Sequence, residues 1–401
     1  MEWPLSKLGD VCDLVGGGTP SKSNESFYGG KIPWATVRDM QKDLLSTTEL
    51  SITDEAVKKS STNLIPSGTI ITATRVGLGK VCILQQDTAI NQDIKAIIPK
   101  TKSLDNGFLY WWLKSIAHVI EAAGTGATVK GVKLPFIKSV KIPLPPLPEQ
   151  KRIVAILDKA FAHIDQARAL AEQNLKNARE LFESYLQNVF SQPGEGWVER
   201  SLEEVSLDFG RGKSKHRPRN DLSLYGGVYP FIQTGDVRNC EHIITSYSQT
   251  YNEKGLAQSK LWPKGTICIT IAANIAETGI LGFESCFPDS VIGVVVDPGV
   301  TTVSYVEYLL QSFKVILQAK GKGSAQDNIN MGTFENMKFP FPSLSMQNAI
   351  VGNMSKLMVS VQHLEKIYVK KIEALGELKK SILQKAFSGE LTVKHAVEAV
   401  A

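Results

Sequence analysis

After the proline-rich lead-in Pro143-Leu144-Pro145-Pro146-Leu147-Pro148, the chain runs on to residue 192 with neither Gly nor Pro. A stretch that long without a breaker predicts, after the proline-rich entry, one long helix of roughly forty residues within 143–191. Apolar residues recur along it at steps of three and four: Ile153, Leu157, Ala160, Ile164, Ala167, Ala171, Leu175, Ala178, Phe182, Tyr185 and Val189. So narrow a stripe, flanked by charges, predicts a coiled-coil seam rather than a broad core face. At 1.5 Å per residue the helix would reach ~60 Å, and it needs a partner as long as itself. Adding 197 to each position gives Ile350, Met354, Leu357, Val361, Leu364, Tyr368, Ile372, Leu375, Lys379, Ile382 and Ala386, of which only Lys379 is polar. The expected helix-pairing seam therefore sets Ile153, Leu157, Ile164, Leu175 and Phe182 against Ile350, Leu357, Leu364, Ile372 and Ile382.

The rest of the chain repeats as well. Trp197, Leu202, Val205 and Gly210 answer Trp3, Leu8, Val11 and Gly16 at an offset of 194. From YGGVYPF (225–231) against YGGKIPW (28–34) the offset is 197, which predicts a three-residue insertion in the loop before Tyr225. Asp236 then answers Asp39, PKGTI answers PSGTI, Gln347 answers Gln150, and Pro340 and Pro342 answer Pro143 and Pro145. The chain reads as a tandem duplication of an α+β domain followed by a long helix. Its expected segments are 1–142 and 195–342 (globular), 143–194 (first helix and linker) and 343–401 (second helix and tail). If the helices pair antiparallel, the domains are related by a pseudo-twofold axis across the rod. The loops between strands differ while the turn glycines repeat, as expected of two equivalent domains that read different things.

A chain of 401 residues that is 43% hydrophobic can fill such cores. No apolar run approaches a membrane span, and the start lacks the features of a signal peptide, so the expected location is the cytoplasm. The five cysteines, Cys12, Cys82, Cys240, Cys268 and Cys286, are never spaced C-x-x-C and are expected as buried thiols. No metal site is signalled by the scattered histidines. On the helix predicted from Gly107 to Ala123, the tandem Trp111 and Trp112 are expected to fill a core rather than to stack bases.

No catalytic motif survives inspection. Gly210-Arg211-Gly212-Lys213-Ser214 ends like a phosphate-binding loop, but Leu207 stands where that loop needs glycine. Gly77-Leu78-Gly79 lacks the third glycine of a dinucleotide turn, and no Asp/Glu cluster has nuclease spacing. The chain is expected to catalyse nothing itself and to bind no cofactor. The clearest nucleic-acid signal is Arg211, Lys213, Lys215, Arg217 and Arg219, five basic residues in nine with no acid. They would serve phosphates and, through Arg, guanine; a solvated charged loop is the alternative. The first repeat offers Lys22, Lys31, Arg38, Arg75, Lys80 and Lys130. The second adds Arg238, Lys322 and, for adenine, Asn274 and Gln326.

IPLPPLPEQKRIVAILDKAFAHID and its degenerate copy FPFPSLSMQNAIVGNMSKLMVSV resemble the conserved-region signature of specificity (S) subunits of type I restriction-modification systems. The W-x4-LGDV start, the YGG-x-x-PW turn and the closing LQKAFSGEL are similar to that family too. The second copy departs from the pattern at Ser343, Ser345 and Met346. The resemblance covers the whole chain. It implies two target recognition domains, each reading half of a bipartite double-stranded DNA site. It also implies two antiparallel helices that set the spacer and dock two methyltransferase (M) subunits, with restriction (R) subunits joining. S-adenosylmethionine, ATP and Mg2+ would belong to those partners. The competing readings are a structural coiled-coil adaptor, which predicts no sequence preference, and the specificity half of a fused methyltransferase-nuclease.

Overall fold

The computed structural model describes residues 3–126, 130–215, 221–272, 274–322 and 329–391, with Lys322 described by its backbone alone. They fall into two units, Met1–Glu172 with Lys370–Ala401, and Gln173–Val369.

In the first unit the chain passes through β1 (Leu5–Lys7), α1 (Leu8–Val11), β2 (Cys12–Gly16), β3 (Tyr28–Ala35), β4 (Leu44–Leu45) and β5 (Leu50–Ile52). It continues with α2 (Asp54–Lys59), β6 (Asn63–Ile65), β7 (Ile70–Ala73), β8 (Val81–Leu84), β9 (Thr88–Ile90) and β10 (Ile94–Pro99). Then come α3 (Asn106–Ser115), α4 (Ala117–Ala122), α5 (Leu134–Ser139), β11 (Lys141–Pro143) and the long α6 (Leu147–Ser191). The main sheet has the order β2-β10-β7-β8-β4, and a second one the order β5-β3-β9-β6. Alternation along β7 explains why the main sheet is covered on both faces. Ile70 packs with Val81, Ile97 and Leu109 on the α3 side, while Ile71 and Ala73 meet Cys82, Leu84 and Ala96 on the other. Asp105 caps α3 by accepting the Phe108 N–H at 3.0 Å. Trp112 is buried, and Trp111 lies edge-on to Phe161 of α6 while its indole N–H donates to Asp158 at 2.8 Å. Trp112 is a core residue, as the sequence predicted, and the half-buried Trp111 packs against that core.

The second unit repeats this plan through β12 (Val198–Arg200), β13 (Ser206–Arg211), β14 (Tyr225–Phe231), α7 (Thr234–Asn239), β15 (Ile243–Ile244) and β16 (Gln249–Tyr251). There follow α8 (Glu253–Ala257), β17 (Ile267–Thr270), β18 (Thr278–Leu281), β19 (Val291–Val296), α9 (Val303–Ser312), α10 (Lys314–Lys322), α11 (Met331–Glu335), β20 (Phe339–Phe341) and α12 (Leu344–Ser388). Its main sheet has the order β13-β19-β17-β18-β15, the same path as in the first unit. The duplication is thus structural as well as textual. The second sheet is smaller: β14 and β16 form a two-stranded ribbon, and the other pairings shrink to the single bridges Phe231 to Cys286 and Trp262 to Ser285.

Two expectations need correcting. Register places Arg211, not Gly210, in the position of Gly16, because β13 bulges at Leu207 between Ser206 and Asp208. One of the three inserted residues is that bulge; only the other two lie in the loop before Tyr225. The stripe on α6 is also wider than a seam. Phe161, Leu186 and Phe190 are buried beside Ile153, Leu157, Ile164 and Phe182, because each part of the helix also closes a domain core. Phe161 meets Trp111, and Phe190 meets Tyr305 of α9 at 5.5 Å.

Both long helices have 45 residues, 197 apart from start to start. In the first unit Ile153, Leu157 and Ile164 share a core with Leu375, Ile382 and Ala386, and Asp165 pairs with Lys379 at 2.5 Å. In the second unit Phe182 shares one with Ile350, Met354, Leu357 and Val361, and Arg179 pairs with Glu365 at 2.9 Å. The start of α6 thus goes with the end of α12, and its end with the start of α12, which is the order antiparallel helices give. Leu175, Leu364 and Ile372 are half-buried.

A glutamine locks each helix to its domain. Gln150 is 1% exposed; its Oε1 accepts the Asp105 N–H at 2.8 Å, and its Nε2 donates to Ser103 O and Pro145 O. Gln347 is fully buried; it accepts the Thr301 hydroxyl at 2.8 Å and donates to Val300 O and Pro342 O. The proline-rich lead-in leaves carbonyls that cannot join a helix ladder, and the same side chain satisfies them in both repeats. Where Pro146 is replaced by Ser343, the serine hydroxyl accepts the Met346 N–H at 3.4 Å.

Candidate nucleic-acid interface

The basic residues of the second unit gather where β13 ends. Arg211, Lys213 and Lys215 are exposed, and the Arg211 Nε–H donates to Asp289 O at 2.7 Å. The backbone holds the segment open: Lys215 N–H donates to Gln258 Oε1, and the Lys213 carbonyl accepts the Ser259 hydroxyl at 2.8 Å. Lys213 and Lys215 have no ion-pair partner among the described residues, so their charge faces solvent. Arg217, Arg219 and Gln326 lie outside the described residues, as does the side chain of Lys322.

Ser214, between these lysines, lines a cleft of about 600 Å³ together with Leu222, Gln233, Thr234, Gln249 and Ser290. The cleft belongs to the β14–β16 ribbon. Gln249 is exposed at the start of β16, opposite Phe231 of β14. Gln233 follows that strand; its Nε2 donates to Gln249 Oε1 at 2.6 Å, and its backbone N–H donates to Asp236 at 2.8 Å. Leu222 is 87% exposed at the same cleft.

Arg238 and Asn274 stand apart from that group. Arg238, on α7, lies at a different cavity of about 900 Å³ whose wall includes Glu180, Glu183, Glu241 and Glu277. That acidic lining makes it a poor phosphate site. Asn274 is half-buried in the turn between β17 and β18, where its carbonyl accepts the Thr270 hydroxyl.

In the first unit Arg75, Lys80 and Lys130 come together at one loop end. Arg75 follows β7 and bridges to Gly131, beside Lys130, while Lys80 closes the same turn before β8. Asp93 holds the Arg75 guanidinium at 3.5 Å. Val76, in this turn, adopts a φ of 51°, a left-handed conformation that a β-branched residue rarely takes. Lys22, Lys31 and Arg38 are exposed on other elements: the loop after β2, the middle of β3 and the turn after it.

Sequence reasoning missed Gln233, Gln249 and Leu222. For Gln233 the signal was present in the repeat, since Thr36 stands in its place at the offset of 197; Leu50 is seen to take the place of Gln249 only from strand register. All five cysteines are free, and burial pushes the Cys82 and Cys240 thiols up to about 11, so none is a reactive thiolate near pH 7. No group of acidic, His or Cys side chains suited to a metal ion is found among the described residues, and no described helix is long and apolar enough to cross a membrane.

Comparison with known proteins agrees with this architecture. A sequence profile described as Type I restriction modification DNA specificity domain matches residues 1–173 and 194–374. Over 422 aligned positions the chain is 24% identical to the Type I restriction enzyme MjaIX specificity subunit of Methanocaldococcus jannaschii, spanning 98% of this chain and 94% of that one. It is 34% identical over 207 positions to the Type I restriction enzyme EcoR124I/EcoR124II specificity subunit of Escherichia coli, spanning 48% of this chain and 49% of the other. A solved chain from work on complex assembly and conformational transition of the type I R-M system superposes with a TM-score of 0.77 at 20% identity, covering 97% of this chain and 98% of that one. The HsdS subunit from Thermoanaerobacter tengcongensis superposes at 0.63 and 20% identity, covering 97% of each chain. These two likenesses speak to the fold. The profile matches once in each repeat and together the matches take in most of the sequence, so the chain belongs to the type I restriction-modification DNA specificity family.

Proposed function

We propose that this specificity subunit reads a bipartite double-stranded DNA site, one half with each repeat, while the paired helices fix the spacer between the halves. The observation that carries this reading is the contrast within the duplication. The two repeats share sheet order and helix length, yet differ at the exposed ends of their ribbons, Thr36 and Leu50 against Gln233 and Gln249. A scaffold kept twice with its surface changed is what two different half-sites require. Basic residues beside each ribbon or loop end, the exposed Lys213 and Lys215 in one repeat and the half-buried Lys80 with the exposed Lys130 in the other, suit phosphate contacts.

The subunit itself performs no chemistry in this proposal. Methylation and cleavage fall to methyltransferase and restriction partners, which would carry S-adenosylmethionine, ATP and Mg2+, in the cytoplasm where the DNA lies. Two methyltransferase subunits would dock on the long helices, one for each repeat.

Co-expressing the chain with its methyltransferase partner in a methylation-free host, and mapping modified bases across the genome, tests the reading. The expected result is a split motif with a fixed gap, whose gap changes when four residues are inserted into both long helices. An assembled complex that modifies no sequence would instead favour a structural adaptor.

A further inference from the structure

We infer that Gln249, positioned by Gln233, reads an adenine through the major groove in the half-site bound by the second repeat. This rests on the half-site reading above and assigns part of it to one side chain.

The argument begins with the ribbon. The major groove admits either a helix or a two-stranded β-ribbon, and β14 with β16 form a two-stranded sheet. Gln249 sits exposed at one end of it, at the mouth of the cleft that Ser214 also lines. Lys213 and Lys215 flank that serine, so phosphate contacts would bring the ribbon end against base edges.

The chemistry of the glutamine pair narrows the target. Gln233 donates an amide hydrogen to Gln249 Oε1 at 2.6 Å, which turns the Gln249 NH2 away from its neighbour. Gln249 keeps that donor and the second lone pair of Oε1. One donor beside one acceptor is the complement of adenine, whose N7 accepts and whose N6 donates. Guanine presents two acceptors there and does not match. Leu222, 87% exposed at the same cleft, supplies an apolar surface for the thymine methyl of the same base pair. The first repeat has Leu50 and Thr36 in these places and no such amide, so the assignment concerns one half-site alone.

The test uses the complex of this chain with its methyltransferase partner on its mapped site. Each adenine of the second half-site is replaced in turn by 7-deazaadenine, which lacks the N7 acceptor. Wild-type binding should fall about five- to a hundred-and-fifty-fold at one position. The Q249L variant, which takes the residue of the first repeat, should lose a similar factor on unmodified DNA and be indifferent to 7-deazaadenine at that position. Recognition of the first half-site should stay as it was. Q233A, acting only through Gln249, should shrink the 7-deazaadenine penalty at that same position and no other.

A second half-site without adenine on either strand would overturn the assignment. So would a deaza penalty that survives intact in Q249L, or a loss spread evenly over both half-sites. A wild-type complex that recognises no split site would remove the half-site reading and this assignment with it; an intact split motif unaffected by Q249L would remove the assignment alone.

Discussion

At one corner of each repeat the same backbone carries charges of opposite arrangement. Asp43, just before β4, pairs with Lys114 on α3 at 2.7 Å. In the second repeat the residue in the place of Asp43 is His242, shown by the bond that Ile83 N–H gives to Asp43 O and Ile280 N–H gives to His242 O. Its partner is Glu307 on α9 at 2.8 Å, and Gln311 stands where Lys114 does. Acid on the loop and base on the helix have become base on the loop and acid on the helix. The fold therefore demands a polar tie between this loop and this helix but leaves its sign open. Depth differs as well, since the Asp43 side chain is 55% exposed and that of Glu307 only 1%. A buried carboxylate must be answered by several donors; Glu307 is met by His242, by the Thr278 hydroxyl at 3.1 Å and by Gln311.

That difference in depth fixes the largest expected effect. Glu307→Ala leaves His242 Nδ1, Thr278 and Gln311 without their shared acceptor and should cost about 3 kcal/mol. Hydrogen exchange should show β15, β18 and α9 losing protection while the first unit keeps its own. Equal loss in both units would mean that the corner is not local to its repeat. Next come the two glutamine locks, where the repeats agree. Gln150→Leu and Gln347→Leu each strand two carbonyls and one donor in a buried place, and each should cost about 2–3 kcal/mol by urea denaturation. Unequal costs would show that only one helix depends on its lock.

The corners should also part company with pH. The hydrogen bond to Glu307 raises the His242 imidazole above its ordinary 6.5, against the opposing effect of burial, and the Glu307 and Glu241 charges add to the rise. A raised value means stability fully present below 6.5 and lost as the pH climbs through the folded-state value. Burial alone would raise the Asp43 carboxyl, but the Lys114 ammonium, with the Tyr110 hydroxyl and the Lys379 charge, outweighs it and holds the group below its ordinary 3.8. Its contribution is present above 3.8 and is lost only as the pH falls through the lowered value. As the pH rises above 6.5, melting should therefore weaken at the second corner and not at the first, and Glu307→Gln should flatten that slope. A first-unit transition that moves across the same range would contradict the assignment.

How much of this was legible in the sequence follows from the spacing of each pattern. Both long helices, the YGG turn and the matched Gln150 and Gln347 stand at one offset of 197, so one shift of the chain exposes them. Gln249 and His242 do not, because two extra residues between Asp236 and His242 move the offset to 199 and hide their counterparts, Leu50 and Asp43. His242 and Glu307 are 65 residues apart, and nothing local in either stretch announces the pair. The basic residues show the limit of residue type alone. Lys213 and Lys215 are exposed on either side of Ser214, which lines the cleft, whereas Arg238, equally basic, is set beside Glu180 and Glu241 by the path of α7. Charge is visible in a sequence; the company it keeps is decided by loops that only the fold brings side by side.

The smallest effect is expected where the first corner is made to resemble the second. Lys114→Gln puts the residue of α9 onto α3 and removes the ion pair with Asp43 while keeping a hydrogen-bonding side chain. With Asp43 more than half exposed, water replaces what the ammonium supplied, and the cost should stay near 0.5 kcal/mol. Raising the salt concentration should produce much of the same loss in the wild type and little further change in the variant. A cost well above 1 kcal/mol, insensitive to salt, would mean that the first corner is as tightly built as the second. The exposure of Asp43 would then be a poor guide to its role, and the sign of the tie would matter to the fold after all.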